Sequence, residues 1–280
     1  MSTPLNFTNP LTFTKMHGAG NDFVMLDARE MGGLQLDTAR IAALCDRRTG
    51  IGADGLIIIT DEAPEGADFR MIYFNADGGE AEMCGNGARC SVAFAHARGL
   101  CREETRFATY SGVLTGRVFG PEDIQVSLPA YRDLALDVDL EPRDAAFTSH
   151  HTCNTGVPHL VIPVDDTEAV DVETMGRHYR QDPFFAPAGT NVNFVAPAAG
   201  GDHFLLRTYE RGVEAETLAC GTGASACAVV LCELGRTESP VSLLTRGGQR
   251  LQVTVDREKR GLLLRGPAVT SFHGEVLIHG

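Results

Sequence analysis

A short stretch occurs twice in the chain, and each copy predicts the same local structure. The first copy reads Cys-Gly-Asn-Gly-Ala over residues 84–88, and the second reads Cys-Gly-Thr-Gly-Ala over residues 220–224. Each copy leads into a run of helical character that stops at a glycine, a common residue just past the last helical position. The helical runs cover residues 88–98 and 224–234, and the glycines are Gly99 and Gly235. The repeat predicts two related halves, each organised around one such helix.

The start of such a helix suits both a reactive sulfur and a bound carboxylate. The first N–H groups of a helix have no partner inside it, and the helix dipole is positive there. Glycines let an anion approach this backbone closely. A cysteine at the same place has its thiolate stabilised, so its pKa falls from about 8.5 towards neutrality. Two copies facing one ligand would put Cys84 on one side of it and Cys220 on the other.

Either copy alone is most simply interpreted as a tight turn beside a buried cysteine. The presence of two copies favours a functional role instead. The two cysteines are 136 residues apart (220 − 84), and Gly20 and Gly156 show the same offset, each ahead of an apolar run. This is similarity at the scale of a domain and not a short-period repeat. The second helix is apolar almost all round, which is typical of a helix buried on every side. A curved sheet wrapped around it is the simplest container.

Apolar runs between turn residues predict the strands, and residues 38–45 (capped by Asp37) and 171–180 predict two further helices. Residues 129–148 show no clear periodicity, and we place the domain junction near their start. We expect an α/β (α+β) fold of two pseudo-symmetric domains. Each is a strongly curved, mostly antiparallel sheet around a central helix, with the active site in the cleft between them. The predicted strands cover residues 11–16, 23–26, 56–60, 69–74, 106–109, 113–119, 124–128, 160–164, 190–195 and 204–209, with more strands towards the end.

Composition excludes several classes of protein. The net charge of −13 argues against a general nucleic-acid or anionic-membrane surface. No apolar run reaches membrane-spanning length, and the first residues lack the pattern of a signal peptide, so we expect a cytoplasmic protein. The eight cysteines contain no Cys-x-x-Cys pair, which argues against a zinc ribbon or a thioredoxin-like site. In a reducing compartment they should be thiols, and those at 90, 227 and 232 should be small core residues.

Two weakly acidic groups on opposite faces of one carbon can invert it. A thiolate removes the proton and a thiol returns one from the far side, which is general acid–base catalysis suited to cysteine near neutral pH. The α-carbanion of an amino acid needs charge stabilisation and exclusion of water, and helix N-termini can supply the first. A pyridoxal cofactor is the usual alternative and needs a lysine. The only lysines are Lys15 and Lys259, and the paired cysteines favour a route without cofactor or metal.

Five motifs together resemble the diaminopimelate epimerase family over nearly the whole chain, from about residue 13 to the last strand. The related proline racemases and hydroxyproline epimerases share the two cysteines but have different flanking motifs. The motifs are His17-Gly18-Ala19-Gly20-Asn21-Asp22-Phe23, Asn75-Ala76-Asp77-Gly78, Cys84-Gly85-Asn86-Gly87-Ala88-Arg89-Cys90, Tyr209-Glu210-Arg211-Gly212 and Ala219-Cys220-Gly221-Thr222-Gly223.

The resemblance implies a cofactor-independent isomerase that interconverts LL- and meso-2,6-diaminopimelate in bacterial lysine and peptidoglycan-precursor synthesis. It implies domains of residues 1–128 with a final strand at 268–280, and of residues 129–267. We expect a homodimer that binds its small-molecule substrate, and neither nucleic acid nor membrane.

The resemblance also assigns roles to individual residues. Cys84 and Cys220 become the two acid–base residues, and His159 with Glu210 tunes their pKa values. The start of each helix would hold the carboxylate of the reacting end of the substrate, through Gly85, Asn86, Gly221 and Thr222. The residues that would bind the rest of the substrate are Asn21, Asn75, Asn191, Glu210 and Arg211.

The chain departs from the family pattern at two positions. Asp54-Gly55 stands where many members have Asp-Gln, and Val157-Pro158-His159 stands where many have Asn-Pro-His. Each departure removes a side chain that contacts substrate, and neither touches the cysteines. The expected effect is therefore on substrate binding rather than on the reaction.

Three alternatives stay open on the sequence. A proline- or hydroxyproline-type racemase would use the same pair of cysteines. A thiol redox protein would join Cys84 and Cys220 reversibly. A nucleotide-binding protein would use residues 221–226, which fit G-x-G-x-x-A, but the segment 212–216 before them is polar and does not predict a buried parallel strand.

Overall fold

The computed structural model describes residues 10–81, 84–140 and 147–277 of the 280-residue chain. This part contains four α-helices: α1 (Thr38–Cys45), α2 (Gly85–Ala97), α3 (Val172–Arg180) and α4 (Gly221–Glu233). It contains seventeen strands: β1 (Leu11–Gly18), β2 (Asn21–Asp27), β3 (Gly55–Thr60), β4 (Phe69–Asn75), β5 (Glu104–Thr109), β6 (Gly112–Gly120), β7 (Asp123–Leu128), β8 (Arg132–Ala135), β9 (His151–Asn154), β10 (Pro158–Pro163), β11 (Asn191–Pro197), β12 (Phe204–Glu210), β13 (Ala215–Thr217), β14 (Val241–Thr245), β15 (Arg250–Asp256), β16 (Gly261–Pro267) and β17 (Val269–Val276).

The chain divides into two compact units. The first holds the described residues up to Ile124 together with those from Ala268 onward, and the second is Gln125–Pro267. The chain therefore passes from one unit to the next within β7 and leaves the second unit after β16.

The first unit alternates antiparallel and parallel strand pairs around α2. Strands β1 and β2 form an antiparallel hairpin, and β2 pairs with β3 in parallel. The β3–β4 pair is antiparallel, β4–β5 is parallel and β5–β6 is antiparallel. Strand β17 pairs with β1 in antiparallel orientation. Helix α2 packs against β1, β2, β3, β4 and β6, so the sheet encloses it.

The second unit repeats this order of pairings around α4. Strands β9 and β10 are antiparallel, β10–β11 is parallel and β11–β12 is antiparallel. The β12–β14 pair is parallel, and β14–β15 and β15–β16 are antiparallel. Helix α4 packs against β9, β10, β11, β15 and β16. The predicted pseudo-symmetric architecture of a curved sheet around a central helix is thereby confirmed.

The register of the strands shows the same repeat at the level of residues. Phe23 lies opposite Gly55 in the β2–β3 pair, and His159 lies opposite Asn191 in the β10–β11 pair. Each residue of the second pair stands 136 positions after its counterpart, the offset that separates the two cysteines. The weak similarity in the sequence therefore marks equivalent places in two copies of one fold.

Both central helices begin three residues earlier than predicted. Cys84 and Cys220 are the N-cap residues, and each sulfur accepts a hydrogen bond from the N–H group of the third residue after it, at 3.4 Å in both units. The glycine-rich stretch is therefore the first helical turn and not a turn ahead of the helix. The reason is that the sulfur at the N-cap accepts a hydrogen bond from one of the backbone N–H groups that the start of a helix leaves unpaired.

The ends of the two helices confirm the glycine stop. Gly99 and Gly235 adopt positive φ values of 70° and 66°. The residue that follows each glycine donates its N–H group to the carbonyl oxygen of the residue five positions earlier. Leu100 donates to Ala95 in this way, and Arg236 donates to Leu231. This is the Schellman arrangement, in which a residue without a side chain turns the backbone away from the helix.

The interior confirms the prediction for the second helix, and the structure adds three short strands that were not predicted, β8, β9 and β13. Every residue of α4 from Gly221 to Cys232 is buried. Strand β8 is mostly exposed and carries charged residues, so it has no apolar alternation. Strand β9 buries His151 and Cys153 in alternation, but its inward residues are not typical hydrophobic ones. β8 and β9 therefore lack the alternation of apolar residues that predicts a strand.

Candidate active site

Cys84, the predicted reactive residue of the first unit, lies where the β1–β2 hairpin meets the start of α2. A Cβ atom on Gly18 would lie 2.8 Å from the backbone oxygen of Asn86, so the hairpin needs a glycine to approach the helix this closely. Cys84 is half-buried, and its sulfur lies 3.5 Å from Asn21 Oδ1. The amide oxygen can only accept, so this contact fits the thiol form of Cys84. The structure thus brings together two of the predicted site residues.

Asn21 is held by a cluster of charged residues that the sequence analysis did not include. Asn21 Nδ2 donates to Asp54 Oδ2 at 2.6 Å, which turns the amide oxygen away from that carboxylate. Arg47 bridges Asp54 and Asp22, with distances of 2.6 and 2.7 Å from its Nη2. The Lys15 ammonium group lies 2.8 Å from Asp22 Oδ2.

The charge of Asp22 is strongly favoured in this cluster. Burial alone would raise the pKa of Asp22, but hydrogen bonds from Arg47 and Lys15 outweigh it and hold the pKa well below its usual range. Lys15 also donates to the carbonyl oxygen of Gly52. Lys15, the lysine that stands nearest to the first motif, is therefore engaged as the counter-ion of a carboxylate.

The first turn of α2 carries a buried guanidinium group. Arg89 Nη2 donates to Asn86 Oδ1 at 2.9 Å, and Arg89 Nη1 contacts the carbonyl oxygen of Gly85 at 3.3 Å. Burial lowers the pKa of Arg89 to about 10, and the nearby sulfurs of Cys90 and Cys84 act in the opposite direction. The cation remains charged near neutral pH, and it orients Asn86 at the start of the helix.

Asn75 stands at the exposed end of β4. Tyr73, two residues earlier on the same face of the strand, donates its hydroxyl to Asn75 Oδ1 at 3.0 Å. The backbone N–H of Asn75 is bonded to the carbonyl oxygen of Gly79 in the turn that follows. The amide group of Asn75 is thereby oriented before any ligand binds.

The second unit places Cys220 at the start of α4 in the same way, with a different set of neighbours. Cys220 is buried, and its sulfur lies 3.4 Å from Thr222 Oγ1 as well as from the N–H group of Gly223. Thr222 is fixed in turn because its carbonyl oxygen accepts from Thr155 Oγ1 at 2.8 Å. Thr155 is fully buried in the β9–β10 connection. Both contacts of Cys220 can donate to sulfur and fit a thiolate.

His159 is buried beside Asn193. His159 Nδ1 lies 3.1 Å from Asn193 Nδ2, and the Nε2 atom is buried without a hydrogen-bond partner among the described residues. Burial, and then the positive charge of Arg211, lower the pKa of His159 to about 3. The imidazole is therefore neutral at physiological pH.

Asn191 joins two other predicted site residues to the sheet. Its Nδ2 donates to the carbonyl oxygen of Pro158 at 3.0 Å, and its Oδ1 accepts from the backbone N–H of Arg211 at 2.8 Å. The guanidinium group of Arg211 contacts the carbonyl oxygen of Ala188 at 3.4 Å. Glu210 Oε2 accepts from Thr217 Oγ1 at 2.9 Å. The predicted residues of the second unit thus lie at the adjacent ends of β10, β11 and β12.

Cys90, Cys227 and Cys232 are buried core residues, as predicted, and the other three cysteines outside the two motifs share their electrostatic state. Burial raises the pKa of all six, to about 11 for Cys45 and to about 12 for Cys90 and Cys153. The other three, with the same direction and cause, are Cys101, Cys227 and Cys232. A thiol with a raised pKa stays protonated and is a poor nucleophile or base. Helix N-caps therefore separate Cys84 and Cys220 from the rest.

Within the described ranges, no group of three or more His, Cys, Asp or Glu side chains could hold a metal ion. Among the helices of those same ranges, none is both long and apolar enough to cross a membrane.

Comparison with known proteins identifies the family. The family model described as diaminopimelate epimerase matches residues 13–128 and 151–271. This chain belongs to the diaminopimelate epimerase family. The family resemblance drawn from the five motifs is thereby confirmed, and the chain is an isomerase.

Curated relatives in the diaminopimelate epimerase family match over nearly their full length. The chain is 42% identical over 280 residues to the diaminopimelate epimerase of Aquifex aeolicus, covering 95% of this chain and 98% of that one. It is 39% identical over 275 residues to that of Hydrogenobaculum sp., covering 94% and 98%.

Solved structures show how widely the fold is shared beyond this family. A phenazine biosynthesis protein of the PhzF family from Bacillus anthracis superposes with a TM-score of 0.71 at 16% identity, covering 97% of this chain and all of that one. A hydroxyproline epimerase from Agrobacterium vitis, solved with bound trans-4-hydroxy-L-proline, superposes with a TM-score of 0.70 at 14% identity and 96% and 93% coverage. At these identities the likeness concerns the fold alone.

The structure shows what occupies one of the two positions that depart from the pattern of the diaminopimelate epimerase family. A Cβ atom on Gly55 would lie 2.6 Å from the ring of Tyr73, so a side chain at position 55 and this tyrosine exclude each other. Val157 stands in the β9–β10 connection, where its carbonyl oxygen accepts from the N–H group of Thr155.

Sequence reasoning missed Tyr73, Thr155 and Asn193, although a signal for two of them was present. Tyr73 precedes Asn75 by two residues and Asn193 follows Asn191 by two residues, each on a predicted strand. Alternate residues of a strand lie on the same face. A polar residue two positions from a candidate site residue was therefore worth including.

Proposed function

We propose that this enzyme interconverts LL- and meso-2,6-diaminopimelate without a cofactor, by a two-base mechanism in which Cys84 and Cys220 exchange protons with the α-carbon. The observation that carries the proposal is the matched pair of N-cap cysteines in a chain of the diaminopimelate epimerase family. Each sulfur lies 3.4 Å from an N–H group of its own helix. Such a group stabilises negative charge on sulfur when the proton is lost.

The proposed reaction moves two protons and leaves the enzyme with the same total charge. One sulfur, as thiolate, removes the α-proton of the substrate and becomes a thiol. The other sulfur, as thiol, delivers its own proton to the opposite face of the carbanion and becomes a thiolate. The two cysteines exchange roles when the reaction runs in the other direction.

The substrate carries two amino-acid ends, and we assign different residues to each. The carboxylate of the reacting end would lie against the free N–H groups at the helix starts, beside Gly85, Asn86, Gly221 and Thr222. The other end would contact Asn21, Asn75, Asn191, Glu210 and Arg211. Arg211 suits the carboxylate of that end because a guanidinium group binds carboxylates through paired hydrogen bonds.

His159 and Glu210 are proposed to influence the acidity of the cysteines. A neutral, buried histidine adds no competing positive charge, and it can still donate one hydrogen bond. Glu210 lies at the end of β12, and as an ionised carboxylate it would disfavour a thiolate placed beside it. We also propose that the enzyme acts in the cytoplasm in lysine biosynthesis and that two copies of the chain form a homodimer. In each copy, one domain would consist of residues 1–128 together with 268–280, and the other of residues 129–267.

Proton NMR in heavy water tests the reaction. Reduced enzyme is mixed with LL-diaminopimelate without added cofactor, and the α-proton signal is followed. We expect meso product to form, and to carry deuterium before the remaining substrate does. The physical reason is that the returning proton comes from the second sulfur, which has exchanged with solvent, and not from the substrate.

Variants decide which cysteines are responsible. Cys84→Ala and Cys220→Ala should each lose the exchange by more than about a hundredfold, the lower range of acid–base contributions. Cys101→Ala, a half-buried cysteine outside both helices, should retain it. Exchange that survives in both active-site variants would refute the two-base proposal. Exchange with proline or hydroxyproline instead of diaminopimelate would move the enzyme to the related racemases.

A further inference from the structure

Asn193 forms a fully satisfied hydrogen-bond network inside the second unit. Its Nδ2 donates to the carbonyl oxygen of Leu160 at 2.9 Å and to His159 Nδ1 at 3.1 Å. Its Oδ1 accepts from Thr208 Oγ1 at 2.9 Å. Asn193 is fully buried. No rotation of this amide group would leave the network intact, because the carbonyl oxygen of Leu160 can only accept.

The network determines which nitrogen of His159 carries the proton. Both hydrogens of the Asn193 amide are used, one on Leu160 and one on His159 Nδ1. Nδ1 must therefore present a lone pair, and the ring proton must lie on Nε2. A second proton on the ring would place an N–H group against an N–H group. The neutral tautomer with hydrogen on Nε2 is thus the form that the surroundings of His159 accept.

The equivalent places in the first unit show that the fold does not need this polar pair. Subtracting the offset of 136 places Phe23 at the position of His159 and Ile57 at the position of Asn193, with the same strand pairing. Phe23 and Ile57 are fully buried. An apolar pair therefore satisfies the same packing in the same architecture. A buried polar pair costs more to desolvate than an apolar one, which indicates a role beyond folding.

The second cysteine motif is adapted to this network. A Cβ atom on Gly223 would lie 2.3 Å from Asn193 Oδ1. The corresponding atom on Gly87 in the first unit would meet the end of the Ile57 side chain at 2.9 Å. The last glycine of the motif beside Cys220 thus provides the space in which Asn193 lies.

We propose that Asn193 is a positioning residue that holds His159 as a fixed hydrogen-bond donor through Nε2, directed at an anionic group of the reaction. His159 then cannot act as a base, because one nitrogen is occupied by Asn193 and the other already carries a proton. The part of this inference that concerns the reaction rests on the proposed function, whereas the tautomer itself does not.

Nitrogen-15 NMR of histidine-labelled enzyme measures the tautomer without any substrate. We expect His159 to show a protonated Nε2 and an unprotonated Nδ1 throughout the pH range in which exposed histidines titrate. Thr208→Val removes only the hydroxyl on Asn193 Oδ1 and should leave the tautomer unchanged. Asn193→Ile removes the donor to Nδ1 and should let His159 populate both tautomers. A proton on Nδ1 in the unmodified enzyme would overturn the inference.

A double variant separates a role in the reaction from a role in folding. His159→Phe/Asn193→Ile installs the apolar pair of the first unit, so it should fold with the circular dichroism spectrum of the unmodified enzyme. We expect its kcat to fall about ten- to a hundredfold, the usual range for residues that orient a reacting group. Full activity in a folded double variant would overturn the positioning role. Inactivity of the unmodified enzyme would instead contradict the proposed function and leave the tautomer result standing.

A second observation concerns Tyr73 and Gly55 in the first unit. A Cβ atom on Gly55 would meet the carbonyl oxygen of Phe74 at 2.5 Å and the Tyr73 ring at 2.6 Å. The Tyr73 ring also packs edge-on against Phe23, with 5.9 Å between ring centroids. The tyrosine therefore fills the space beside β3, and its hydroxyl reaches Asn75.

We infer that Tyr73 is a positioning residue for substrate binding, an inference that rests on the proposed role of Asn75. With the amide oxygen of Asn75 accepting from the tyrosine, the amide hydrogens face outward and can donate to a carboxylate of the substrate. Asn75 lies directly opposite Gly55 in the β3–β4 pair, so this chain presents an oriented amide on β4 beside the position that carries no side chain on β3. Gly55 thus leaves space for the Tyr73 ring, and the Tyr73 hydroxyl orients Asn75 towards the substrate.

Steady-state kinetics with diaminopimelate tests this role. Tyr73→Phe keeps the ring and removes the hydroxyl, so we expect KM to rise about five- to tenfold while kcat stays unchanged. Tyr110→Phe, at a tyrosine that is 70% exposed, serves as the matched control. Gly55→Ala should raise KM as well, because the added carbon displaces the ring. An unchanged KM in Tyr73→Phe would overturn the inference, whereas an unmodified enzyme that does not turn over diaminopimelate would contradict the proposed function instead.

Discussion

At the level of single residues, side chains of the same chemical type have different protonation properties because their surroundings differ. Six cysteines have raised pKa values because they are buried, whereas Cys84 and Cys220 accept N–H groups at helix starts. The same contrast separates Asp22, which is paired with two cations, from His159, whose neutral form is favoured by burial. The contacts of Cys84 and Cys220 come from N–H groups three residues away, so their position in the sequence predicts them. The states of Asp22 and His159 depend on Arg47 and Asn193, which come from distant parts of the chain.

The buried state of His159 predicts how stability depends on pH. Its pKa in the folded protein is about 3, against an ordinary value of 6.5. Between these values the unfolded chain binds a proton at this residue and the folded chain does not. The free energy of unfolding therefore falls as the pH is lowered through this window, by up to about 1.4 kcal/mol per pH unit.

Urea titrations at several pH values measure this contribution. His159→Phe should show a shallower loss of stability between about pH 6 and about pH 4 than the unmodified enzyme. Other groups titrate in the same window, so the difference between the two proteins is the quantity to compare. Parallel curves for the two proteins would show that His159 is not buried in its neutral form.

At the level of elements, the two central helices share their ends but not their surroundings. Both begin at a cysteine N-cap and end in a Schellman arrangement. The fifth residue of helix α2 is the buried Arg89, whereas the fifth residue of α4 is the buried Ser225. The duplicated stretch therefore supplies equivalent geometry, and the neighbouring strands make the two sites chemically different.

This difference predicts that the same substitution, glycine to alanine, has a small effect on stability in α2 and a large one in α4. In Gly87→Ala the new carbon meets the flexible ends of Ile57 and Met71. Alanine gains about 1 kcal/mol of helix propensity over glycine, so we expect stability within about 1 kcal/mol of the unmodified protein. In Gly223→Ala the new carbon meets Asn193 Oδ1, which three hydrogen bonds hold in place. We expect a loss of about 2 to 3 kcal/mol, from strain and a broken polar network.

Chemical denaturation of the two reduced variants compares them directly. Gly99→Ala is a useful reference, because its added carbon meets nothing within 4 Å but its φ of 70° disfavours any side chain. A loss of about 1 kcal/mol is expected there. Equal losses in Gly87→Ala and Gly223→Ala would mean that the environments of the two helix starts do not differ as described.

The whole molecule consists of two units with one helical core each, and this predicts where it is most stable. Every residue of α4 from Gly221 to Cys232 is buried, and α2 is buried from Gly85 to Val92. Amide groups that open only on global unfolding exchange most slowly. We expect the slowest hydrogen exchange in peptides from these two helices.

Hydrogen exchange followed by mass spectrometry checks this expectation for the whole chain. Helix α3 buries only three of its nine residues, and it should exchange faster than α2 and α4 by about tenfold or more. A slow α3 beside a fast α4 would contradict the assignment of α4 as the core of the second unit.

Much of the fold follows from local signals in the sequence. Each central helix is marked in the sequence by a cysteine at its start and a glycine just past its end. The cysteine sulfur accepts from an N–H group of the first turn, and the glycine adopts the positive φ that ends the helix. The predicted α1 coincides with the helix observed over Thr38–Cys45, with Asp37 as its N-cap. The apolar character of α4 required enclosure, since no face of it could contact water without cost. The family also follows from these motifs, whose combination fixes residue types at many positions at once.

The tertiary structure alone decided the chemistry around these signals. His159 and Asn193 are 34 residues apart, and only the parallel register of β10 and β11 brings them within hydrogen-bond distance. Gly55 and Tyr73 exclude each other only because β3 and β4 pair side by side. Hydrogen bonds and close contacts depend on distances of a few tenths of an ångström, which a linear pattern does not contain. The sequence therefore determined the family and the candidate site residues, and the packing of the strands decided how the side chains around them are paired and oriented.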